Sequence, residues 1–269
     1  MRWLGHALVL AALAVWVAPV GWHVVTSLTP EAELLDLGAT WPSRLTLEHY
    51  RAVVAASPLP RALLNSAAVA VGTTALATGL GTLGAYALAR LPLPGRRAIM
   101  LGIVLSTAFP AIATVAPLYL MVRGLGLRDT WWALILADTS FALPLMLWLV
   151  AGFMRSLPRE LEEAAFVDGA GRLGALRHVV LPAVAPGVAA AALVTFLSAW
   201  NEFLFAYTFT ATEASRTAPV ALALFPGVFE VPWGDIAAAA LLTGAPPVLV
   251  VLFLQRHLVR GLLAGALKE

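Results

Sequence analysis

Two acidic residues, Asp138 and Glu202, lie inside long apolar stretches of the sequence. A carboxylate in such a place is costly, and it usually faces a protein interior or a water-filled path. Counting about 1.5 Å of helix per residue puts both residues at a similar depth in their predicted helices, so one cavity can be lined by both. With Asn201 they are candidates for a solute path or for contact with a partner chain. The alternative is that each acid bonds to a neighbouring helix and is structural.

The residues of the common catalytic sites are missing from this sequence. A Walker A loop, GxxxxGK[ST], needs a lysine for the nucleotide phosphates, but the only lysine is Lys268, the penultimate residue. There is no HExxH or GxSxG motif, and with no cysteine there is no thiol nucleophile, disulfide or cysteine metal site. We therefore expect no enzyme, no catalytic residue, no metal site and no cofactor bound by this chain.

The composition is that of an integral membrane protein. Hydrophobic residues make up 61% of the 269 residues and charged residues 12%, whereas soluble domains carry about 25% charged residues. The net charge of +2 gives no reason to expect a nucleic-acid partner. The partner that this composition does imply is membrane lipid.

Apolar runs of sufficient length predict six transmembrane helices, because about 20 residues cross a bilayer. The predicted spans are 3–28, 63–89, 98–122, 131–154, 182–209 and 236–254, in a single transmembrane domain over residues 1–269. Residues 29–61 and 210–235 are predicted as outer loops. The first run is longer than a signal-peptide core, although Ala12-Leu13-Ala14 leaves a cleavable signal as an alternative. Pro110 and Pro117 predict kinks in the third span.

Three glycines in the second predicted span, Gly79, Gly81 and Gly84, match the dinucleotide-binding pattern GxGxxG. That pattern requires a preceding strand and glycines that open a helix, whereas these glycines lie well inside an apolar run. We interpret them as small residues that let two membrane helices pack closely.

A polar segment, residues 158–182, interrupts the apolar runs in the second half of the chain. Pro158 followed by three glutamates predicts a helix start, because acidic side chains in the first turn suit the positive end of the helix dipole. Asp168-Gly169 predicts the turn that ends this helix. A second short helix, 172–178, follows, and Leu181-Pro182 predicts a break. Two short amphipathic helices of this kind suit the docking of another protein at the membrane face.

The basic residues indicate the orientation of the chain. With the N-terminus in the cytoplasm, eleven basic residues fall on the cytoplasmic side and six on the outer side. Cytoplasmic loops carry the excess of Lys and Arg, so both termini and the segment 158–182 are predicted to be cytoplasmic.

The polar segment resembles the EAA loop of ABC importer permeases. The matching residues are Glu163-Ala164-Ala165, then Gly169 after three intervening residues, then Val179-x-Leu181-Pro182 after nine more. The family usually has Ile where Val179 stands. Further stretches resemble the MalG-like branch of carbohydrate permeases, among them Ala85-Tyr86-Ala87-Leu88-Ala89-Arg90 and Trp200-Asn201-Glu202-Phe203.

This resemblance implies an all-α permease subunit of type I ABC importer architecture in the inner membrane of a prokaryote, working by alternating access on a sugar. It also implies a second, homologous permease as heterodimer partner, two ABC ATPase subunits that bind ATP and Mg, and an extracytoplasmic sugar-binding protein. The residues expected to couple the chain to the ATPases are Glu163, Ala164, Ala165, Asp168, Gly169, Leu181 and Pro182. Those expected to contact the binding protein are Pro226, Gly227, Val228 and Phe229, where relatives often have a Gly-Gln-Tyr-like run.

A self-contained secondary transporter or channel is the alternative from another class, because it too would have several spans and buried acids. Such carriers more often contain an internal repeat and further ionisable residues at mid-membrane depth, and the sequence has neither. A homodimeric permease is a lesser variant.

Overall fold

The computed structural model describes residues 2–34, 41–225 and 231–266, and for Arg2, Leu4 and residues 256–266 it describes the backbone alone. Every regular element in these ranges is helical, which confirms the predicted all-α fold. The helices are α1 Arg2–Leu28, α2 Glu31–Leu34, α3 Glu48–Ala56, α4 Leu59–Arg90, α5 Arg96–Ser106, α6 Ala111–Gly124, α7 Trp131–Ser156, α8 Glu160–Val167, α9 Arg172–Ala175, a π turn Leu176–Val180, α10 Leu181–Trp200, α11 Leu204–Phe209, α12 Ala218–Ala223 and α13 Trp233–Ala266.

Five of these described helical stretches are long and apolar enough to cross a membrane, and α5 with α6 gives a sixth if that bent pair is one span. The chain divides into two compact units, Met1–Leu64 with Thr217–Pro246 and Asn65–Arg216 with Pro247–Glu269. We describe the units separately, and the single domain stays a prediction.

The third predicted span is not one kinked helix. Helix α5 ends at Ser106, α6 begins at Ala111, and the two are bent by 94°. Pro110 precedes α6 with an extended backbone. Proline cannot donate a helical hydrogen bond, and it keeps the residue before it out of the helical region. Pro110 therefore lies at a break between two helices, where the sequence had predicted only a kink. Pro117 lies inside α6, which continues past it.

The fifth predicted span also differs at both ends. Residues Arg172–Trp200 form one helical stretch, so the predicted break at Leu181-Pro182 is wrong. A proline ring clashes with the carbonyl four residues earlier in a regular α-helix, and the wider π turn directly before α10 relieves this clash. The helix then stops at Trp200, not at Phe209 as predicted, and α11 follows after three residues.

The core of the second unit lies between α4, α7 and α10. Two glycines of α4 permit this packing, because a Cβ at Gly81 would lie 2.5 Å from Cγ of Met146, and a Cβ at Gly84 would lie 2.5 Å from Cδ2 of Leu147. Small residues let helix backbones approach closely in this way. The packing interpretation is thus confirmed for Gly81 and Gly84, whereas Gly79 has no neighbour within 4 Å of its Cβ position.

His49, near the start of α3, is almost fully buried in the first unit. Its Nδ1 lies 2.7 Å from Oδ1 of Asp235, and its Nε2 lies 2.9 Å from the carbonyl oxygen of Thr29. Both neighbours are acceptors, so this geometry suits the protonated imidazole, in which both ring nitrogens donate. Burial opposes this charge, but the hydrogen bonds to Asp235 and Thr29 and the negative charges of Asp235 and Glu31 outweigh it, and the pKa of His49 is raised.

We expect the substitution His49→Gln to destabilise the protein below about pH 6.5. The raised pKa means that protonated His49 stabilises the fold at low pH, and that this contribution is lost as the pH rises through the folded-state pKa. The loss at pH 5.5 should be about 1–2 kcal/mol. The measurement is the thermal unfolding midpoint in detergent at pH 5.5 and at a pH above the folded-state pKa of His49. The control is His23→Gln, because His23 is exposed. An equal effect of His49→Gln at both pH values would contradict a charged His49.

Candidate functional site

The polar segment folds as a short helix, a tight turn and the start of a second helix. Helix α8 carries the three predicted glutamates in its first turn. The chain turns after Val167 and enters the helical stretch that begins at Arg172. The predicted helix–turn–helix is present, although its second helix runs on into α10.

Gly169 ends α8 in a left-handed conformation, with φ of +86°. The amide of Gly169 donates to the carbonyl of Phe166 at 3.1 Å, and the amide of Ala170 donates to the carbonyl of Ala165 at 2.9 Å. These two bonds form a Schellman cap, which favours glycine because a Cβ is strained at positive φ. Nothing lies within 4 Å of the Cβ position of Gly169, so a side chain here would project into open space.

The coupling segment, which we define as residues 160–173, exposes both polar and apolar side chains. Of the predicted coupling residues, Glu163, Ala164 and Asp168 are exposed, Ala165 is buried, Leu181 is partly buried and Pro182 is exposed. Large apolar side chains are exposed beside them, namely Leu161, Phe166, Val167 at 88% and Leu173 at 69%. Several large apolar side chains exposed among charged ones within one short segment are consistent with a protein-binding surface.

Glu162, in contrast, points inwards and fastens α8 to the end of α4. Its Oε1 accepts a hydrogen bond from the Tyr86 hydroxyl, and its Oε2 lies 3.4 Å from Nε of Arg90. Arg90 also donates through Nη2 to the carbonyl oxygen of Leu157 at 2.9 Å. Tyr86 and Glu162 are both buried. Removing one partner of a buried ion pair is strongly destabilising, by about 3–5 kcal/mol.

Sequence reasoning gave no role to this cluster, which we call the Glu162 clamp (Tyr86, Arg90 and Glu162). Tyr86 and Arg90 lie on a stretch that was used for the family resemblance, and Arg90 was also counted among the basic residues for the orientation. Their spacing of four residues puts them on one face of α4, which was the available signal. Nothing in the sequence tells which of the three glutamates of α8 turns inwards.

Asp138 and Glu202 line one cavity of the second unit, of about 320 Å³. The cavity lies among α4, α6, α7, α10 and α11, and its lining also includes Thr73, Phe141 and Phe205. Asp138 is 6% exposed, and its carboxylate oxygens accept no hydrogen bond from the described residues. The structure thus places on one cavity the two acids that were predicted from the sequence to lie at a similar depth.

Glu202 also has a local structural role. Its Oε1 accepts from the amide of Phe205 at 2.7 Å, and its Oε2 accepts from the amide of Ala206 at 2.9 Å. These amides belong to the first turn of α11, which has no earlier carbonyls to bind. Glu202 therefore caps α11 and accounts for the break after Trp200. Asn201 is exposed, and its side-chain amide donates to the carbonyl of Leu197 at 2.8 Å.

The expected binding-protein contacts, Pro226, Gly227, Val228 and Phe229, lie outside the described residues. No group of three or more His, Asp or Glu side chains that could hold a metal ion occurs within the described part of the chain.

Solved structures share this fold. A crystal structure of a bacterial ABC transporter involved in the import of the acidic polysaccharide alginate contains a chain that aligns with a TM-score of 0.82 at 21% identity, over 94% of each chain. A second, of a bacterial alginate ABC transporter in complex with alginate pentasaccharide-bound periplasmic protein, aligns with a TM-score of 0.68 at 16% identity. This chain therefore shares its all-α fold with chains of these two transporter structures.

Sequence relatives cover nearly the whole chain. The trehalose transport system permease protein SugB of Mycobacterium tuberculosis (strain CDC 1551 / Oshkosh) is 43% identical over 252 residues, 93% of this chain and 92% of that protein. The trehalose/maltose transport system permease protein MalG of Thermococcus litoralis (strain ATCC 51850 / DSM 5473 / JCM 8560 / NS-C) is 37% identical over 253 residues, 93% and 91% of the two chains. The resemblance to MalG-like permeases is confirmed.

A family match covers the larger part of the chain, including the coupling segment and most of the cavity. Residues 77–263 match the family described as "Binding-protein-dependent transport system inner membrane component". The match includes all of α7, α8 and α10, and with them the coupling segment and the lining of the cavity except Thr73. With a family match over more than half of its length and relatives above 40% identity, this chain belongs to the family of binding-protein-dependent transport system inner membrane components.

Proposed function

We propose that this chain is one of two permease subunits of an ATP-driven importer that takes up an oligo- or disaccharide from an extracytoplasmic binding protein. The relatives support a sugar, since SugB is named for trehalose, MalG for trehalose and maltose, and SmoH of Agrobacterium fabrum (strain C58 / ATCC 33970) for sulfoquinovosyl glycerol. A self-contained secondary transporter or channel is not favoured, because these relatives are permease subunits of transport systems.

The observation that carries this proposal is the coupling segment. It presents an exposed apolar surface beside the acids of α8, and the Glu162 clamp joins this surface to α4 through buried contacts. A separate ATPase that docks on α8 would therefore move α4 as well. The ATPase can drive such a motion only if its contacts with the docked α8 favour different states of the permease before and after the ATPase closes. ATP and Mg bind to the two ATPase partners in this proposal.

The break between α5 and α6 supports a second permease as partner. Residues 107–110 are exposed in this chain and include Phe109, which is 60% exposed. Irregular backbone does not face lipid inside a bilayer, because its polar groups would lack hydrogen-bond partners. If the break lies at membrane depth, another protein must cover it, and a homologous permease in a heterodimer would do so.

The function is tested by transport in proteoliposomes. The full complex, reconstituted with its partner permease, ATPase and binding protein, should accumulate radiolabelled trehalose or maltose when ATP is inside. Uptake should stop when ATP is withheld or when the binding protein is omitted. Uptake that persists without ATP and follows a proton or sodium gradient would overturn the proposal in favour of a secondary transporter.

The Glu162 clamp should be needed for coupling. We expect Glu162→Gln to leave the ATPase bound but to lower uptake at least ten-fold, because Arg90 loses its buried counter-charge at a cost of a few kcal/mol. Tyr86→Phe should have a smaller effect, of about 1 kcal/mol. The measurements are uptake and ATP hydrolysis in the same proteoliposomes, with Glu160→Gln in the exposed part of α8 as control. Equal uptake by Glu162→Gln and Glu160→Gln would contradict the clamp.

Substitutions at Gly169 should separate backbone strain from surface contact. Gly169→Val adds a side chain in a conformation that β-branched residues rarely adopt, whereas Gly169→Asn adds one that tolerates this conformation. We expect Gly169→Val to reduce co-purification of the ATPase and sugar uptake, with the spans still inserted. Gly169→Asn should retain more of both. Wild-type binding and uptake by Gly169→Val would exclude this turn from the docking surface.

The orientation follows from the basic residues. Reporter tags inserted near Arg172 and after Lys268 should be cytoplasmic, and a tag between Thr212 and Arg216 should be external, since eleven basic residues lie on the proposed inner side and six on the outer. The measurement is the activity of compartment-specific reporter fusions. A reporter near Arg172 that is active outside would overturn the assignment of the coupling segment.

A further inference from the structure

The cavity that contains Asp138 holds polar groups that the fold does not satisfy. Neither carboxylate oxygen of Asp138 has a hydrogen-bond partner among the described residues, and the hydroxyl of Thr73, 0% exposed, has none there either. Both residues line the cavity. A buried polar group without a partner is costly, and a buried carboxylate more so. The site is thus able to bind a hydrogen-bond donor with little further desolvation of its own.

Two aromatic rings lie against the same cavity. The ring centroids of Phe141 and Phe205 are 5.1 Å apart, and both residues contribute to the lining. An apolar wall with a few convergent polar groups is typical of a small-molecule site, and a cavity of about 320 Å³ falls within the roughly 300–1,000 Å³ of such sites. A pyranose ring has the matching surfaces, with hydroxyl donors on its edge and C–H groups on its face.

Charge decides which sugars fit. Glu202 already accepts two backbone amides, so Asp138 is the carboxylate that remains for a ligand. Glu202, whose carboxylate is held by these two amides, lines the same cavity, so an anionic sugar would meet negative charge there, and like-charge contacts are an effective means of excluding a ligand. The hydroxyls of a neutral sugar, by contrast, donate strongly to a carboxylate.

We propose that this cavity is a saccharide subsite within this permease subunit, in which Asp138 accepts hydrogen bonds from the hydroxyls of a neutral sugar unit, Phe141 and Phe205 pack against its ring, and acidic sugars are excluded. The subsite rests on the proposed function, since it needs sugar to pass through this subunit. It adds selectivity between neutral and acidic sugars that the permease itself exerts, independently of the binding protein.

The chain contains no cysteine, so one introduced thiol reports on the cavity. Ser198 is exposed and lines the cavity, whereas the exposed Ser140 is not among the lining residues. Ser198→Cys and Ser140→Cys are labelled with a maleimide in the full complex, assembled with cysteine-free partner subunits. We expect millimolar trehalose to slow labelling at Ser198→Cys and not at Ser140→Cys, and an acidic disaccharide of glucuronate to slow neither.

Asp138→Asn, which keeps the shape, should reduce the protection by trehalose about ten-fold or more, as loss of a charge-assisted hydrogen bond implies. Thr73→Val is the second variant and should act in the same direction. Protection that Asp138→Asn and Thr73→Val leave unchanged would overturn the subsite. So would normal trehalose uptake with no protection, or equal protection by the glucuronate sugar. Failure of Asp138→Asn to co-purify with the second permease would instead assign Asp138 to the subunit interface, and absence of any neutral-sugar uptake would fail the proposed function itself.

Discussion

The buried contact of the Glu162 carboxylate with Arg90 and Tyr86 is the interaction on which the proposed function depends. A charge taken out of water needs a partner of opposite charge and further hydrogen bonds, and Arg90 and Tyr86 supply both from one face of α4. Arg90 in turn donates to the backbone carbonyl of Leu157, three residues before α8 begins. A short helix of eight residues, which would not be stable alone, thus has a fixed place on a long helix of the membrane domain.

The irregular backbone near the cavity follows the same rule of satisfied polar groups. The chain leaves the helix at Trp200, and the amides that this break exposes are taken up by Glu202. Asp129, between α6 and α7, accepts hydrogen bonds from the backbone amides of Ala211 and Thr212. These bonds hold the residues that follow α11. Burial alone would raise the pKa of Asp129, but these bonds and that from Ser215 hold it well below its usual range. Asp138 departs from this rule, because neither of its carboxylate oxygens has a hydrogen-bond partner among the described residues, and the proposed saccharide subsite assigns it one in a ligand.

Much of this arrangement could be predicted from the residues. Apolar runs gave the long helices, Asp168-Gly169 gave the end of α8, and the depth of Asp138 and Glu202 placed both on one cavity. The bends were missed, because the effect of a proline depends on its surroundings: Pro110 marks a break of 94°, whereas Pro182 follows a π turn and interrupts nothing. The inward turn of Glu162 was missed as well, since the three glutamates of α8 differ only in what the fold brings to them.

The most direct test of this account is the distance between α8 and α4 during transport. Spin labels on single cysteines at Val167 and Leu83, both exposed, report this distance by pulsed electron resonance in the full complex, without nucleotide and with ATP and vanadate. We expect the same distance in both states, because the Glu162 clamp holds α8 on α4 while the two helices move together. In Glu162→Ala we expect a changed distance. A wild-type change of about one helical turn, roughly 5.4 Å, between the two states would show that α8 moves without α4 and would contradict this account.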